Sequence, residues 1–280
     1  MKLYNKQYTF NQISLDAIIS LSLRENPMHW IKKIHPPIIF GHRGASKYAP
    51  ENTVAAFELA LNQGAEAFEL DTMLSADGIP VVIHDRTVDR TTDGSGKVDQ
   101  INSRKLFTMD AGSTFSTKYL NERIPLLEEV LTLFKNRALI NVELKNYHNP
   151  SDALPEKVIE IAKRIDVLDQ LLFSSFFPSN LKRIKRLMPL AHVALICSKG
   201  VLGYLTRSKM FLSVSPDYIH PHFKDISKSY IEEQHHMNRK VNTWTVNQKT
   251  NMIGLINQGV DGIITDDPKL VNKIKHGMKK

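Results

Sequence analysis

The sequence predicts an α/β fold, a barrel of eight strand-helix units, with a doubly wound open sheet as its competitor. Two observations predict it. Short apolar runs rich in β-branched residues alternate with segments of helical period over about 240 of the 280 residues. Several of these runs are apolar throughout, as strands are when helices cover one face and a packed interior the other. At 42% hydrophobic and 24% charged, the chain can bury one large core.

Residues 1–36 do not fit the alternation and form an N-terminal extension, in which "SLDAIISLSL" is a short amphipathic segment and "HPP" (35–37) a stiff break. The barrel occupies 37–280. Its strands are read at 37–41, 65–71, 79–85, 138–145, 171–175, 192–197, 217–221, 240–246 and 260–265. Between the first two, "NTVAAFELALNQG" offers Asn52 and Thr53 as caps, places Val54, Phe57 and Leu61 at helical spacing, and stops at Gly64. Near the end, Pro268 behind Asp267 has the order of a first helical turn and its cap.

Nine strands for eight places require an explanation. "TMLSADGI" is too short for a crossover helix, so the chain folds back at Asp77-Gly78. A two-residue turn there pairs positions summing to 155, which sets Asp71 opposite His84. The third strand is then a hairpin return arm. Residues 86–124 are irregular, with one short helix at best, in the manner of long connections that sit over sites.

Charge and cysteine usage bound the partners. Lys plus Arg exceed Asp plus Glu by 37 − 29 = 8, so the surface attracts anions. The basic runs "LKRIKRLM" and "KIKHGMKK" read as solvated helix faces or ends, and no nucleic-acid motif accompanies them. Cys197, the single cysteine, reads as a small buried hydrophobe. "AIISLSL" is too short to span a bilayer and lacks the flanks of a signal peptide, so the expected address is cytoplasmic.

Strand periodicity of two decides which side chains converge. In "FELD", Glu69 and Asp71 share one face; in "NVELK", Asn141, Glu143 and Lys145 do. Charges buried in a barrel mouth cost several kcal/mol each unless paired or holding a metal. An ion-pair network with Arg43 and Lys145 is one solution. Three carboxylates from two strand ends also suit a hard divalent cation, Mg²⁺ or Ca²⁺, better than zinc. His42 and His84 follow apolar strands directly, where barrel enzymes carry acid/base groups. Arg43 supplies a planar fork for phosphate oxygens. Together these parts suit phosphoester cleavage. His220, His222, His235 and His236 lack metal-site spacing and read as surface or structural residues.

"GHRGASKYAPENTVAAF", "FELDTMLSADGIPVVIHD", "IPLLEEVL", "NVELK", "NTWTVN" and "GVDGIITDDP" stand in the order and approximate spacing of the glycerophosphodiester phosphodiesterase family, which the chain resembles over about residues 38–272. The resemblance implies a TIM-type (β/α)8 barrel with a small insertion at 86–124, a Ca²⁺ or Mg²⁺ cofactor, and hydrolysis of small-molecule glycerophosphodiesters to glycerol 3-phosphate and an alcohol. It implies that His42 and His84 are the acid/base pair, that Glu69, Asp71 and Glu143 hold the metal, and that Arg43 and Lys145 contact phosphate. A glycerol hydroxyl attacking phosphorus to give a cyclic phosphate fits the same chemistry. Trp244 is expected at the glycerol or the lip of the mouth, Phe176 and Phe177 as an apolar wall, and Asn52 as a loop-fixing residue. A lysophospholipase D with membrane contact through residues 1–35, and a phosphate-binding barrel without catalysis, are the alternatives.

Overall fold

Among the described residues nine strands form one sheet, and their pairings show how it closes. The computed structural model describes residues 35–206 and 214–278; the reading of the N-terminal extension, apart from residues 35 and 36, lies outside these. Strands β1 (Ile38–His42), β2 (Ala67–Leu74), β4 (Leu139–Leu144), β5 (Leu171–Ser175), β6 (His192–Cys197), β7 (Tyr218–Pro221), β8 (Lys240–Thr243) and β9 (Gly262–Thr265) are parallel neighbours. Because β1 pairs with both β2 and β9, these eight strands close into a barrel. The open-sheet alternative is thereby excluded.

Helices α1 (Val54–Asn62), α3 (Leu127–Leu133), α4 (Leu154–Ile165), α5 (Pro178–Leu187), α6 (Val201–Thr206), α7 (Lys228–His236), α8 (Lys249–Gln258) and α9 (Pro268–Gly277) lie in the connections. Their ends follow the expected caps. The Thr53 hydroxyl accepts the Ala56 N–H, and Gly64 takes the left-handed conformation after α1. Asp267 accepts the Leu270 N–H, with Pro268 in the first turn of α9. In α5, Leu181 and Ile184 are buried while Lys182 and Arg186 are exposed, the solvated basic face that the run "LKRIKRLM" implies.

The main core lies between the barrel wall and the helices. Phe68, pointing outward from β2, stacks on Phe57 of α1 at 4.4 Å and meets Phe134 edge-on at 5.0 Å. Each such buried ring contributes about 1.5–3 kcal/mol. Because side chains alternate along a strand, anchoring Phe68 and Leu70 outward turns Glu69 and Asp71 inward.

Strand β3 (Pro80–Val82) is the antiparallel return arm, but its register corrects the expected one. Thr72 faces Val82 and Leu74 faces Pro80, so positions sum to 154. The turn is a three-residue loop, Ala76-Asp77-Gly78, closed by Ser75 and Ile79 with Gly78 left-handed at φ 73°. Asp71 therefore lies across from Ile83, whose N–H it receives at 3.0 Å. His84 is the residue beyond.

Residues 86–124 contain helix α2 (Ser103–Leu106) and two short 3₁₀ turns. Val88, Val98, Leu106 and Met109 form a second small core against Met73, Val81 and Ile83 of the hairpin. Two carboxylates pin this region. Asp110 accepts the N–H groups of Gly112, Ser113 and Asn121 at 2.7–2.8 Å. Asp77 accepts the Ser75 hydroxyl and both the N–H and the hydroxyl of Ser103. These hydrogen bonds hold both carboxyls down to about 2. A carboxyl lowered on folding stabilises at pH above its unfolded value, near 4, and that stability is lost as pH falls through about 2. The urea midpoint of the parent is expected to drop between pH 5 and pH 2.5 by more than that of Asp110→Asn; equal drops would remove Asp110 from this role.

Candidate active site

The loop after β1 begins the site. Arg43 and Gly44 are both left-handed, at φ 55° and 83°, and a Cβ on Gly44 would meet the Ala56 carbonyl carbon at 2.5 Å. Glycine thus lets this loop lie directly against α1. The turn directs the Arg43 guanidinium inward, with Nε 3.1 Å from Asp71 and Nη1 donating to Glu51 at 2.8 Å.

Strand register then assembles the acids in layers. His42 pairs with Glu69 and Glu69 with Asn141; Asp71 pairs with Glu143. One carboxylate oxygen each from Glu69, Asp71 and Glu143 lies within 4.8 Å of the others. Lys145 reaches both Asp71 and Glu143 at 3.5 Å, and the Tyr147 hydroxyl donates to Glu143 at 2.5 Å. The ion-pair network therefore exists, but it is short of positive charge. Arg43 is divided between Asp71 and Glu51, and the buried Glu69 Oε1 has no hydrogen-bond partner.

The electrostatics reflect that deficit. Burial, with the neighbouring Asp71 and Glu143, pushes the Glu69 carboxyl well above the usual range. Burial opposes ionisation of Asp71 too, yet Lys145, Arg43 and His84 and the Asn52 amide bring it below. The donor set is all oxygen, fits a hard divalent cation, and leaves one buried oxygen unsatisfied.

Each imidazole is backed by a carboxylate. His42 Nδ1 lies 2.6 Å from Asp266, which also accepts the Ser46 hydroxyl and the Asn247 amide. His84 Nδ1 lies 2.6 Å from Asp85. Burial works against ionisation of Asp85, but Arg90 and His84 bring it down to about 2, and Asp266 is lowered in the same way by His42. A carboxylate on Nδ1 fixes the ring and leaves Nε2 for a second partner.

A cavity of about 190 Å³ joins these groups. His42, Arg43, Glu69, His84, Glu143 and Lys145 line it, opposite an apolar wall of Phe176 and Trp244, which meet edge-on at 5.7 Å. Asp71 is buried and is not among the lining residues. Phe177 packs on Tyr147 instead of entering the cavity.

Several residues carry more than sequence reasoning assigned them. His220 is fully buried, lines the cavity, and is pushed down to about 3 by burial, so it stands as a neutral ring beside the Asn242 amide. Its carbonyl accepts the Trp244 N–H at 2.8 Å. None of His222, His235 and His236 lines the cavity: His235 and His236 bond to Asp261 and to the Glu232 carbonyl, while His222 accepts the Lys224 N–H and packs edge-on behind Trp244 at 5.7 Å. Asn52 does fix its loop, and it also holds Asp71 from both ends of its amide, at 2.9 and 3.2 Å. Asp266, Asp85, Glu51, Arg90 and Tyr147 were not foreseen. The only signal for Asp85 was its adjacency to His84.

Fold and mouth together are those of a closed (β/α)8 barrel with an acidic cluster and two carboxylate-backed imidazoles at one cavity. The model of the glycerophosphoryl diester phosphodiesterase family matches residues 42–270, and the chain belongs to that family. It is 37% identical over 242 residues to a glycerophosphodiester phosphodiesterase of Caldanaerobacter subterraneus subsp. tengcongensis, covering 86% of this chain and 98% of that one. A glycerophosphodiester phosphodiesterase of Bacillus altitudinis is 36% identical over 246 residues, covering 86% and 99%. Among solved structures, an Oleispira antarctica phosphodiesterase in complex with the product sn-glycerol-3-phosphate superposes with a TM-score of 0.76 at 31% identity, covering 87% of this chain and 97% of that one.

Proposed function

We propose that the protein hydrolyses water-soluble glycerophosphodiesters, such as glycerophosphocholine or glycerophosphoethanolamine, to glycerol 3-phosphate and the free alcohol, with a divalent cation, Mg²⁺ or Ca²⁺, as cofactor. The observation that carries the reading is the pair of carboxylate-backed imidazoles lining one cavity with the acidic cluster. Glu69, Asp71 and Glu143 hold the cation, which when bound neutralises phosphate charge as a Lewis acid. Arg43 and Lys145 contact the remaining phosphate oxygens. Phe176 and Trp244 pack against the glycerol carbons.

In the first step the glycerol 2-hydroxyl attacks phosphorus and gives its proton to one histidine; the phosphorus–oxygen bond to the alcohol breaks, and the other histidine protonates the departing oxygen. A cyclic phosphate results. In the second step water attacks phosphorus, its proton goes to the histidine that has just lost one, and the ring oxygen takes back the proton held by the first. Both rings return to their starting state. A tethered nucleophile needs only orientation and charge neutralisation, which these side chains supply.

Purified protein assayed on glycerophosphocholine and on lysophosphatidylcholine, with and without EDTA, tests the reading. Release of glycerol 3-phosphate from the first substrate alone, abolished by EDTA, is the expected result. Turnover of lysophosphatidylcholine alone would move the protein to the lysophospholipase D reading, and turnover of neither to a phosphate-binding role.

A further inference from the structure

Arg90 belongs to the irregular region 86–124, and each of its three nitrogens donates to a carboxylate. Nε donates to Asp85 Oδ2 at 2.5 Å, Nη1 to Glu51 Oε2 at 2.8 Å and Nη2 to Glu51 Oε1 at 2.7 Å. Each of the two acids spends its remaining capacity on the catalytic cavity. Asp85 Oδ1 meets His84 Nδ1 at 2.6 Å, and Glu51 Oε1 accepts Arg43 Nη1 at 2.8 Å. One guanidinium therefore stands behind both an imidazole and the arginine that faces phosphate. Without it, two carboxylates would face each other with no cation between them, and each would be free to draw away from the group it orients. The planar fork is what allows one side chain to span both acids; a lysine ammonium is a point donor on a flexible stem.

We propose that Arg90 is a positioning residue for the hydrolysis, fixing His84 through Asp85 and Arg43 through Glu51. The inference rests on the reading that His84 and Arg43 act on substrate. Residues 86–124 then supply part of the catalytic geometry. Arg90 is about half exposed, 49% by side chain, and exposed ion pairs contribute little to stability, so the expected effect of its loss falls on turnover and not on folding.

The test compares Arg90→Ala, Arg90→Lys, His84→Ala and the double variant His84→Ala/Arg90→Ala on glycerophosphocholine. Arg90→Ala is expected to melt like the parent and to lose about 10–100-fold in kcat/KM, the usual cost of removing a residue that orients a functional ligand. Added guanidinium chloride at non-denaturing concentration is expected to restore part of that loss, and sodium chloride at equal ionic strength none. Arg90→Lys recovers less than half of the parent rate. In the His84→Ala background the further loss is expected to be smaller than in the parent, because the two residues act as one unit. Parent-like kinetics of Arg90→Ala, or a loss that guanidinium leaves untouched in a folded variant, overturn the proposal. Should Arg90→Ala fail to fold, parent-like kinetics of Arg90→Lys overturn it equally. If His84→Ala itself turns over normally, the reading of the site has failed instead, which separates the two ideas.

Discussion

His42→Ala and His84→Ala are each expected to lower kcat by about 10²–10⁴-fold, the range that a positioned acid or base contributes, while the thermal midpoint stays near that of the parent. The separation of activity from stability follows from where the rings sit. Their side chains are 20% and 30% exposed, they line the cavity, and neither belongs to the apolar clusters that hold the barrel together. Truncation leaves Asp266 with the Ser46 hydroxyl and the Asn247 amide, and Asp85 with Arg90, so no carboxylate is left buried without a donor. Both variants are expected to fail because the two proposed steps need a base and an acid in exchanged roles. Steady-state rates beside melting curves check this; a parent-like rate in either variant removes that histidine from the mechanism.

Glu69→Gln is expected to separate the cation from the fold with opposite signs. Glu69 is buried beside Asp71 and Glu143, its Oε1 has no partner, and burial with these two charges already holds its carboxyl well above the usual range. A glutamine keeps the oxygen that accepts the Arg43 N–H at 3.1 Å and deletes the repulsion. In EDTA the variant is therefore expected to melt at or above the parent's temperature, since the amide avoids the desolvation and repulsion that oppose ionisation of the buried carboxyl. With Mg²⁺ or Ca²⁺ present it is expected to lose at least about 100-fold in turnover, the upper end of what an orienting partner costs, because a ligand is removed outright. The parent should show the complementary behaviour: activity abolished by EDTA and restored by the cation, with a rise in melting temperature on addition. A Glu69→Gln protein that melts lower and turns over normally would make Glu69 a structural ion-pair partner.

Much of this was legible in the sequence because several barrel strands, buried on both faces, read as apolar runs bounded by turns and helices; all nine predicted positions hold strands. Alternation along "FELD" and "NVELK" was enough to turn Glu69, Asp71 and Glu143 to one side, and parallel register then brings Asp71 beside Glu143. The register of the hairpin was not legible. Asp77-Gly78 supports a two-residue or a three-residue loop, and Ser75, bonded to both Asp77 and Ile79, selects the latter. Residues 86–124 gave no periodic signal because their small core is assembled from isolated residues such as Val88, Val98 and Met109, pinned by carboxylates to backbone N–H groups. The supports of the two imidazoles escaped for a different reason. Asp266 is 224 positions from His42, and only closure of β9 on β1 brings the two together. His220 was hidden because a histidine on a strand can face either way, and β7 turns this one into the barrel.

The anomalous difference map of crystals grown with Mn²⁺ tests the central claim most directly. A single ion bonded to one oxygen each of Glu69, Asp71 and Glu143, at about 2.0–2.6 Å as hard cations bind oxygen, with the rings of His42 and His84 on either side of it, is the result expected. No peak at saturating cation, with Asp71 and Glu143 still held by Arg43 and Lys145, would contradict it.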